Sequence, residues 1–449
     1  MSSFTTSRIS FVLLFLLLAT AFDRSVDGTN SVVRCNENDK RLLSIFKQGV
    51  VDAKNQLSSW AVEDDCCSWV GVHCDNITGR VTELDLFNHA LGGEISLCLL
   101  RVEFLNYLNL SRNNFETVRV SPCQISKSLV DGHKFDNHSL ATPSNQSENF
   151  SVSLRFLDFS DNFKLVISDL HWLSQLTSLK YLDLSGNDIG NETKWLHYMA
   201  MLPSLSELHL RFCQLSNFPS LDYANFTSLE VLDLSLNDHL SAKLPDPFFN
   251  ITNDISNLDL NACNFYGQIP EALFKLRKLK SLRLKFNNLE GSIPEWLGQL
   301  EHLQEFDISS NLFSGSIPSS LGNLSDLTIL GLSYNQLSGN LPISLGQLQN
   351  LNILSIGGNF FIGVLSEKNF ANLSKLSYLY SSSNGFKYFF DPNWAPPFQL
   401  DFLNLGNTSL GPNVPTWIYT QRSLKSLQMY ESRAISCKGR YGRPIIQLD

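Results

Sequence analysis

The chain has 449 residues, 43% of them apolar and 17% charged, which is apolar enough to bury a large core and excludes a disordered chain. A net charge of −9 gives no basis for binding a nucleic-acid backbone or an anionic lipid surface. Length alone suggests two or three domains, but an internal repeat removes that arithmetic, because a repeat array grows by adding coils.

Residues 1–28 read as a secretion signal. Arg8 supplies the positive n-region, Phe11 to Leu18 the apolar h-region, and Ala19 and Ala21 small residues at A-x-A spacing. The apolar run is too short for a bilayer span, and no other segment is long and apolar enough. The expected address is therefore secreted or extracellular, with no membrane helix in this chain. Cysteine usage agrees: four of the nine Cys fall between Cys35 and Cys74, which suits an oxidising compartment. So do eleven N-x-S/T sequons, at Asn76, Asn109, Asn137, Asn145, Asn149, Asn191, Asn225, Asn250, Asn323, Asn372 and Asn407, which predict a glycosylated surface.

Residues 29–80 form a Cys-rich cap. Asp39 to Ala53 carries Leu42, Leu43, Phe46 and Val50 at helical spacing. Cys35 is expected to pair with Cys66 and Cys67 with Cys74; a bond between neighbouring Cys66 and Cys67 is disfavoured because it would strain the backbone. Four cysteines still allow three connectivities.

From residue 81 to 434 the sequence repeats about every 24 residues. One copy is Leu279-Lys-Ser-Leu282-Arg-Leu284-Lys-Phe-Asn287-Asn-Leu289-Glu-Gly291-Ser-Ile293-Pro294, and the next runs from Leu303 to Pro318. This is the leucine-rich repeat, L-x-x-L-x-L-x-x-N/C-x-L. Its ladder position is filled by His89, Asn113, Asn162, Asn187, Cys213, Asn237, Cys263, Asn287, Asn311, Asn335, Asn359, Asn384, Thr408 and a doubtful Ser432. The steps are 24 to 26 residues except for 49 between Asn113 and Asn162, which gives 13 to 14 coils. In L-x-L the leucines point inward and the x residues outward, so each coil adds one short strand to a parallel sheet. The ladder Asn can satisfy backbone groups of its own and adjacent coils, and Cys213 and Cys263 can act there as weak donors. The x-G-x-I-P tail is expected to turn the chain, with Gly allowing unusual angles and Pro ending the strand. The expected fold is an α/β solenoid, a leucine-rich-repeat superhelix with a parallel concave sheet and a disulfide-bonded helical N-terminal cap.

Three irregularities interrupt the pattern. Residues 120–153 carry Pro122, Pro143 and three sequons, and read as a glycosylated loop insertion in place of a coil, with a degenerate coil as the alternative. Cys98 and Cys123 lie 25 residues apart at nearly the same phase of successive coils, which fits either a disulfide or two buried thiols. Ser381 replaces the second strand leucine and should weaken its coil. From 435 to 449 the repeat gives way to a tail containing Cys437 and Pro444.

The run Cys35-Asn-Glu-Asn-Asp, then Leu57-Ser-Ser-Trp60, then Asp65-Cys66-Cys67-Ser-Trp69-Val-Gly71-Val-His-Cys74, followed by Gly79-Arg-Val-Thr-Glu-Leu84, resembles the N-terminal cap of plant extracellular leucine-rich-repeat proteins. The L-x-G-x-I-P coils resemble the plant-specific repeat type, and the doubled Cys66-Cys67 looks most like receptor-like proteins, the cell-surface receptors without a kinase. The resemblance implies an ectodomain that recognises an extracellular protein, peptide or glycan in defence or development and signals by docking onto a membrane receptor kinase at the plasma membrane. It also implies further coils, a C-terminal cap and a membrane helix, which the sequence as written does not carry; a C-terminally truncated receptor is the expectation. Polygalacturonase inhibitors share the cap and repeat, so a secreted inhibitor of a cell-wall hydrolase is the alternative, with a soluble decoy fragment of a receptor as a third.

Ligand contacts are expected on the concave face, which is rigid and extended in such arrays. Arg211, Arg283 and Lys285 offer positive charge. Asp183, Asp233, Asp259 and Asp307 recur at the x of L-x-L, and His209, Phe286, Tyr334 and Tyr380 add aromatic contacts. Arg211, Arg283, Lys285, Phe286, Asp307, Tyr334 and Tyr380 form the expected ligand-binding set. No catalytic pairing, phosphate loop, metal-ligand spacing or cofactor motif is present, so the chain is not expected to be an enzyme.

Overall fold

The computed structural model describes residues 33–120, 123, 150–219, 226–252, 254–430 and 434–436. The secretion signal, nearly all of the inserted segment, Asn137, Asn145, Asn149, Asn225, Ser432 and the tail from Cys437 lie outside the described residues.

Each coil follows from its apolar spacing. In Leu279–Pro294 the leucines at 279, 282, 284 and 289 are all fully buried, while the strand Ser281–Arg283 turns its flanking residues outward. One coil lays its strand on the next in register, Ser281 opposite Glu305, Leu282 opposite Phe306, and Arg283 opposite Asp307. Repetition gives a 15-stranded sheet. Its first strand, Val72–Cys74, is antiparallel to Val81–Asp85; the other neighbours, through Ser426–Gln428, run parallel. The 49-residue step breaks nothing, because Tyr107–Asn109 pairs directly with Phe156–Asp158. The chain returns through short 3-10 turns such as Glu295–Gln299, which bury Leu297. These turns stack so tightly that a Cβ on Gly298 would meet the Ser320 carbonyl oxygen at 2.3 Å.

The ladder asparagines stitch the coils. The Nδ2 of Asn311 donates to the carbonyls of Leu284 (2.8 Å) and Ile308 (3.0 Å), and its Oδ1 accepts from the Leu289 N–H at 3.0 Å. Where cysteine stands instead, its thiol donates to the equivalent carbonyl, Cys213 to Leu184 at 3.2 Å and Cys263 to Leu234 at 3.0 Å.

The Gly-x-Ile-Pro tail does more than turn. Asn288–Gly291, Leu312–Gly315, Gln336–Gly339, Phe360–Leu365 and Gly385–Tyr388 form, with Tyr266–Gly267, a second parallel sheet of six strands. Gly291 and its counterparts adopt φ near +80 to +90° in that sheet, which relieves the bend toward the proline. Coils between Asn162 and Cys263 lack the tail motif; there the described backbone makes isolated bridges instead, and helices Trp195–Met199 and Asp246–Ile251 fill the return.

The cap helix α1 spans Glu37–Gly49, started by the Asn36 side chain, which accepts from the N–H groups of Asn38 and Asp39. It stops before the extent the periodicity predicts. Val50 and Val51 leave the helix to pair antiparallel with Gly92 and Gly93, a tertiary pairing that β-branched residues favour over another helical turn. Leu42, Leu43 and Phe46 are buried under the first coil, and Trp60 stacks on Trp69 at 4.9 Å. The Asp39 carboxylate is fully buried. It accepts from Arg80 at 3.0 and 3.2 Å and from the Val81 N–H at 3.0 Å, which ties helix to sheet. Disulfides join Cys35 to Cys66, Cys67 to Cys74 and Cys98 to Cys123, with Cα separations of 5.4, 5.6 and 5.6 Å.

Candidate ligand-binding face

Every parallel strand of the concave sheet offers two outward residues, one before and one after its inward apolar residue. The second column reads Asp85, Asn109, Asp158, Asp183, His209, Asp233, Asp259, Arg283, Asp307, Gly331, Ser355, Tyr380, Asn404 and Gln428. Its aspartates recur for a local reason. Oδ1 of Asp158, Asp183, Asp233 and Asp307 accepts the N–H two residues ahead at 2.8 to 2.9 Å, an Asx turn that ends the strand. The second oxygen remains for other partners: it takes the Tyr181 hydroxyl at 3.4 Å in Asp183 and Arg283 at 3.4 Å in Asp259.

The residues expected to supply positive charge behave differently from one another. Arg283 is spent on its own surface. Its Nε and Nη2 reach the two oxygens of Glu305 at 2.8 and 2.7 Å, and Nη1 reaches Asp259. The Glu305 hydrogen bond raises the guanidinium pKa above its ordinary range, so its charge is shared with two acids of the same face. Lys285 and Arg211 lie one residue past the second leucine, on the turn beside the sheet; the Lys285 ammonium stands 4.9 Å from the Phe286 ring centroid. Phe286 and Tyr334 follow at the left-handed turn position, both with φ 56°, and are 58% and 69% exposed. They crown the rim rather than the strand face. The Tyr334 ring rests over Gly358, where a Cβ would come within 2.8 Å of Cδ1. Tyr380 is on the strand face, half-buried and stacked on Phe402 at 4.6 Å. Asp307 sits beside Gly331, whose missing side chain gives its carboxylate room.

The first column carries a feature that the Asp pattern hid. Tyr107, Phe156 and Tyr181 stack ring on ring at 4.3 and 4.3 Å, and His209 of the other column continues the row at 5.3 Å. The signal was present in the sequence as an aromatic residue just before the inward leucine of three successive strands. Burial first, then Asp183 and Asp158, push the Tyr181 hydroxyl well above the usual phenol range. Further along, a groove of about 560 Å³ is lined by residues including His209, Asp233, Asp259, Ser281, Arg283 and Glu305.

Among the sequons, Asn76, Asn191, Asn250, Asn323, Asn372 and Asn407 are exposed. Asn109 is not an open acceptor. It is 8% exposed within a concave strand, with its Oδ1 on Ser111 and its Nδ2 on the Tyr107 hydroxyl. Cys35, Cys66, Cys67 and Cys74 bring four sulfurs within 4.8 Å of one another, and they are joined as the two cap disulfides. No helix among the described residues is long and apolar enough to cross a membrane.

The match to a model of a leucine-rich repeat region covers residues 234–433, and that to a leucine-rich-repeat N-terminal domain covers residues 36–75. The chain is similar to Receptor-like protein EIX1 of Solanum lycopersicum, with 34% identity over 311 residues, 63% of this chain and 29% of that protein. It is similar also to Receptor-like protein 6 of Arabidopsis thaliana, 32% identical over 243 residues, 51% of this chain and 24% of that one. The chain thus spans under a third of the length of these relatives. Among solved structures it resembles the Arabidopsis receptor kinase HAESA in complex with the peptide hormone IDA and the co-receptor SERK1. That likeness has a TM-score of 0.74 at 27% identity and covers 88% of this chain and 62% of HAESA.

Proposed function

We propose, from the premise that this chain is a leucine-rich-repeat protein of the plant receptor-like type, that it is the ligand-recognising, non-enzymatic part of an extracellular receptor, acting in defence or development through a partner kinase at the outer face of the plasma membrane. The observation that carries this reading is the concave sheet. Fourteen parallel strands present two outward columns on a face of fixed curvature, over a core whose leucines are fully buried. A rigid, preorganised surface loses little entropy on binding. The relatives are named as receptor-like proteins, and HAESA, which shares the fold, is described with a peptide hormone and a co-receptor. Ligand contact through Arg211, Arg283, Lys285, Phe286, Asp307, Tyr334 and Tyr380 is part of the proposal. The test is to secrete the full chain from plant cells and screen it by biolayer interferometry against microbial elicitor proteins, cell-wall hydrolases and secreted peptides, with photo-crosslinking of any binder. Crosslinks on the concave strands and their rim support the reading; crosslinks confined to the 3-10 turns of the opposite side sink it. Stoichiometric inhibition of a fungal polygalacturonase would move the chain to the inhibitor reading instead.

A further inference from the structure

The charges of the concave face are segregated along the solenoid. Among the described strands, the two outward columns hold nine carboxylates: Glu83, Asp85, Asp158, Asp183, Glu207, Asp233, Asp259, Glu305 and Asp307. All lie on the first nine parallel strands. The same columns hold one guanidinium, Arg283, which is already bound by two of those acids. The last five strands carry no charge in either column. They present Ile329, Ile353, Tyr378, Tyr380 and Phe402 with Ser, Asn, Gln and Gly.

We propose that this face receives one extended peptide segment laid across the strands, basic over the first nine and apolar over the last five. The proposal rests on the concave face being the binding surface and adds the chemistry of what it binds. Three observations carry it. Nine carboxylates spread over nine neighbouring strands, only Asp259 and Glu305 of them paired with Arg283, repel one another and gain from a countercharge. The acidic track already accepts a guanidinium in the fork geometry that carboxylates match, as Arg283 shows with Glu305. The apolar third offers half-buried rings and β-branched side chains, which reward burial of apolar ligand surface. Strand spacing near 4.8 Å makes the acidic part roughly 38 Å long and the apolar part roughly 19 Å, so an extended occupant needs about eleven basic-zone and about six apolar-zone residues.

The probe is a fluorescein-labelled peptide of about seventeen residues, arginine- and glycine-rich over its longer part and leucine- and tyrosine-rich over the rest. Anisotropy against the full secreted chain is expected to show binding that weakens as salt rises. Replacing each arginine by glutamate should abolish binding, and scrambling the same composition should weaken it at least tenfold. On the protein, Asp183→Asn with Asp233→Asn should weaken binding about tenfold. Both substitutions keep the oxygen used in the Asx turn, and circular dichroism checks the fold. Tyr380→Ala should weaken it without changing the salt slope. Equal binding of the glutamate peptide, indifference to the double substitution, or no binding of the arginine peptide overturns the proposal and leaves the concave reading standing. Photo-crosslinks of the bound peptide to the opposite side of the solenoid overturn both.

Discussion

Asn311 holds two coils at once, so its removal acts across a coil boundary. Asn311→Ala orphans the Leu289 N–H and takes one of two donors from the carbonyls of Leu284 and Ile308, which keep Asn287 and Asn335. At roughly 1–3 kcal/mol for a buried unpaired group, the expected loss is about 2 kcal/mol. Urea unfolding should show it, with faster amide exchange at Leu289 as the local signature. Ser381 shows the reverse case. The missing leucine predicts a weakened coil, yet the Ser381 hydroxyl, 1% exposed, pairs with the Tyr388 hydroxyl at 2.7 Å. Burial pushes the Tyr388 pKa up to about 12. Tyr388→Phe leaves the serine unpaired under an apolar ring and should cost about 1–2 kcal/mol, whereas the double change with Ser381→Ala should recover most of it. A cycle of the three variants by thermal unfolding reads this coupling.

At the level of elements, the cap is held to the sheet by a buried charge as well as by apolar packing. Asp39 lies on α1, Arg80 leads into the first parallel strand, and Glu103 accepts from the same arginine at 2.9 Å. Asp39→Ala leaves Arg80 with Glu103 alone and orphans the buried Val81 N–H, a change expected to cost about 2–3 kcal/mol. The expected outcome is loss of the cap first: limited proteolysis should cut near α1 while the central coils stay protected. Proteolysis at the central coils as early as in the cap would refute that order. The second parallel sheet is a property of elements too. It runs where the Gly-x-Ile-Pro tail recurs and lapses where Trp195–Met199 and Asp246–Ile251 occupy the return.

For the whole molecule, the acidic concave face links stability to pH. Burial first, opposed by hydrogen bonds to Ser160, raises the Asp158 pKa, with Asp183 adding to the rise. Burial, with Asp233 adding and Arg283 opposing, does the same to Asp259. A carboxyl whose pKa is higher folded than unfolded contributes stability that is fully present below its unfolded pKa and is lost as pH rises through its folded pKa. These two sites should therefore favour the fold more at mildly acidic pH than at neutrality. Asp158→Asn with Asp259→Asn should flatten the part of the melting profile that falls as pH rises above about 4. Asp75, whose pKa is lowered by its Thr78 hydrogen bonds, works in the other direction but is common to both proteins and cancels in the difference. An unchanged pH slope in the double variant would refute the assignment.

The sequence by itself determined the solenoid, because a 24-residue spacing of leucines and ladder asparagines has one way to bury its apolar face and pair its backbone, coil upon coil. It also determined the column in which the aspartates would stand, since strand alternation is a local property. Tertiary structure alone decided which of these groups are free. Arg283 and Glu305 are 22 residues apart and meet only once two coils are in register. The rings of Tyr107 and Phe156, separated by the long step, stack because their strands pair directly. Partnership across coils depends on stacking distance, which no single repeat encodes. For that reason the charge map of the face, rather than its existence, had to come from the folded chain.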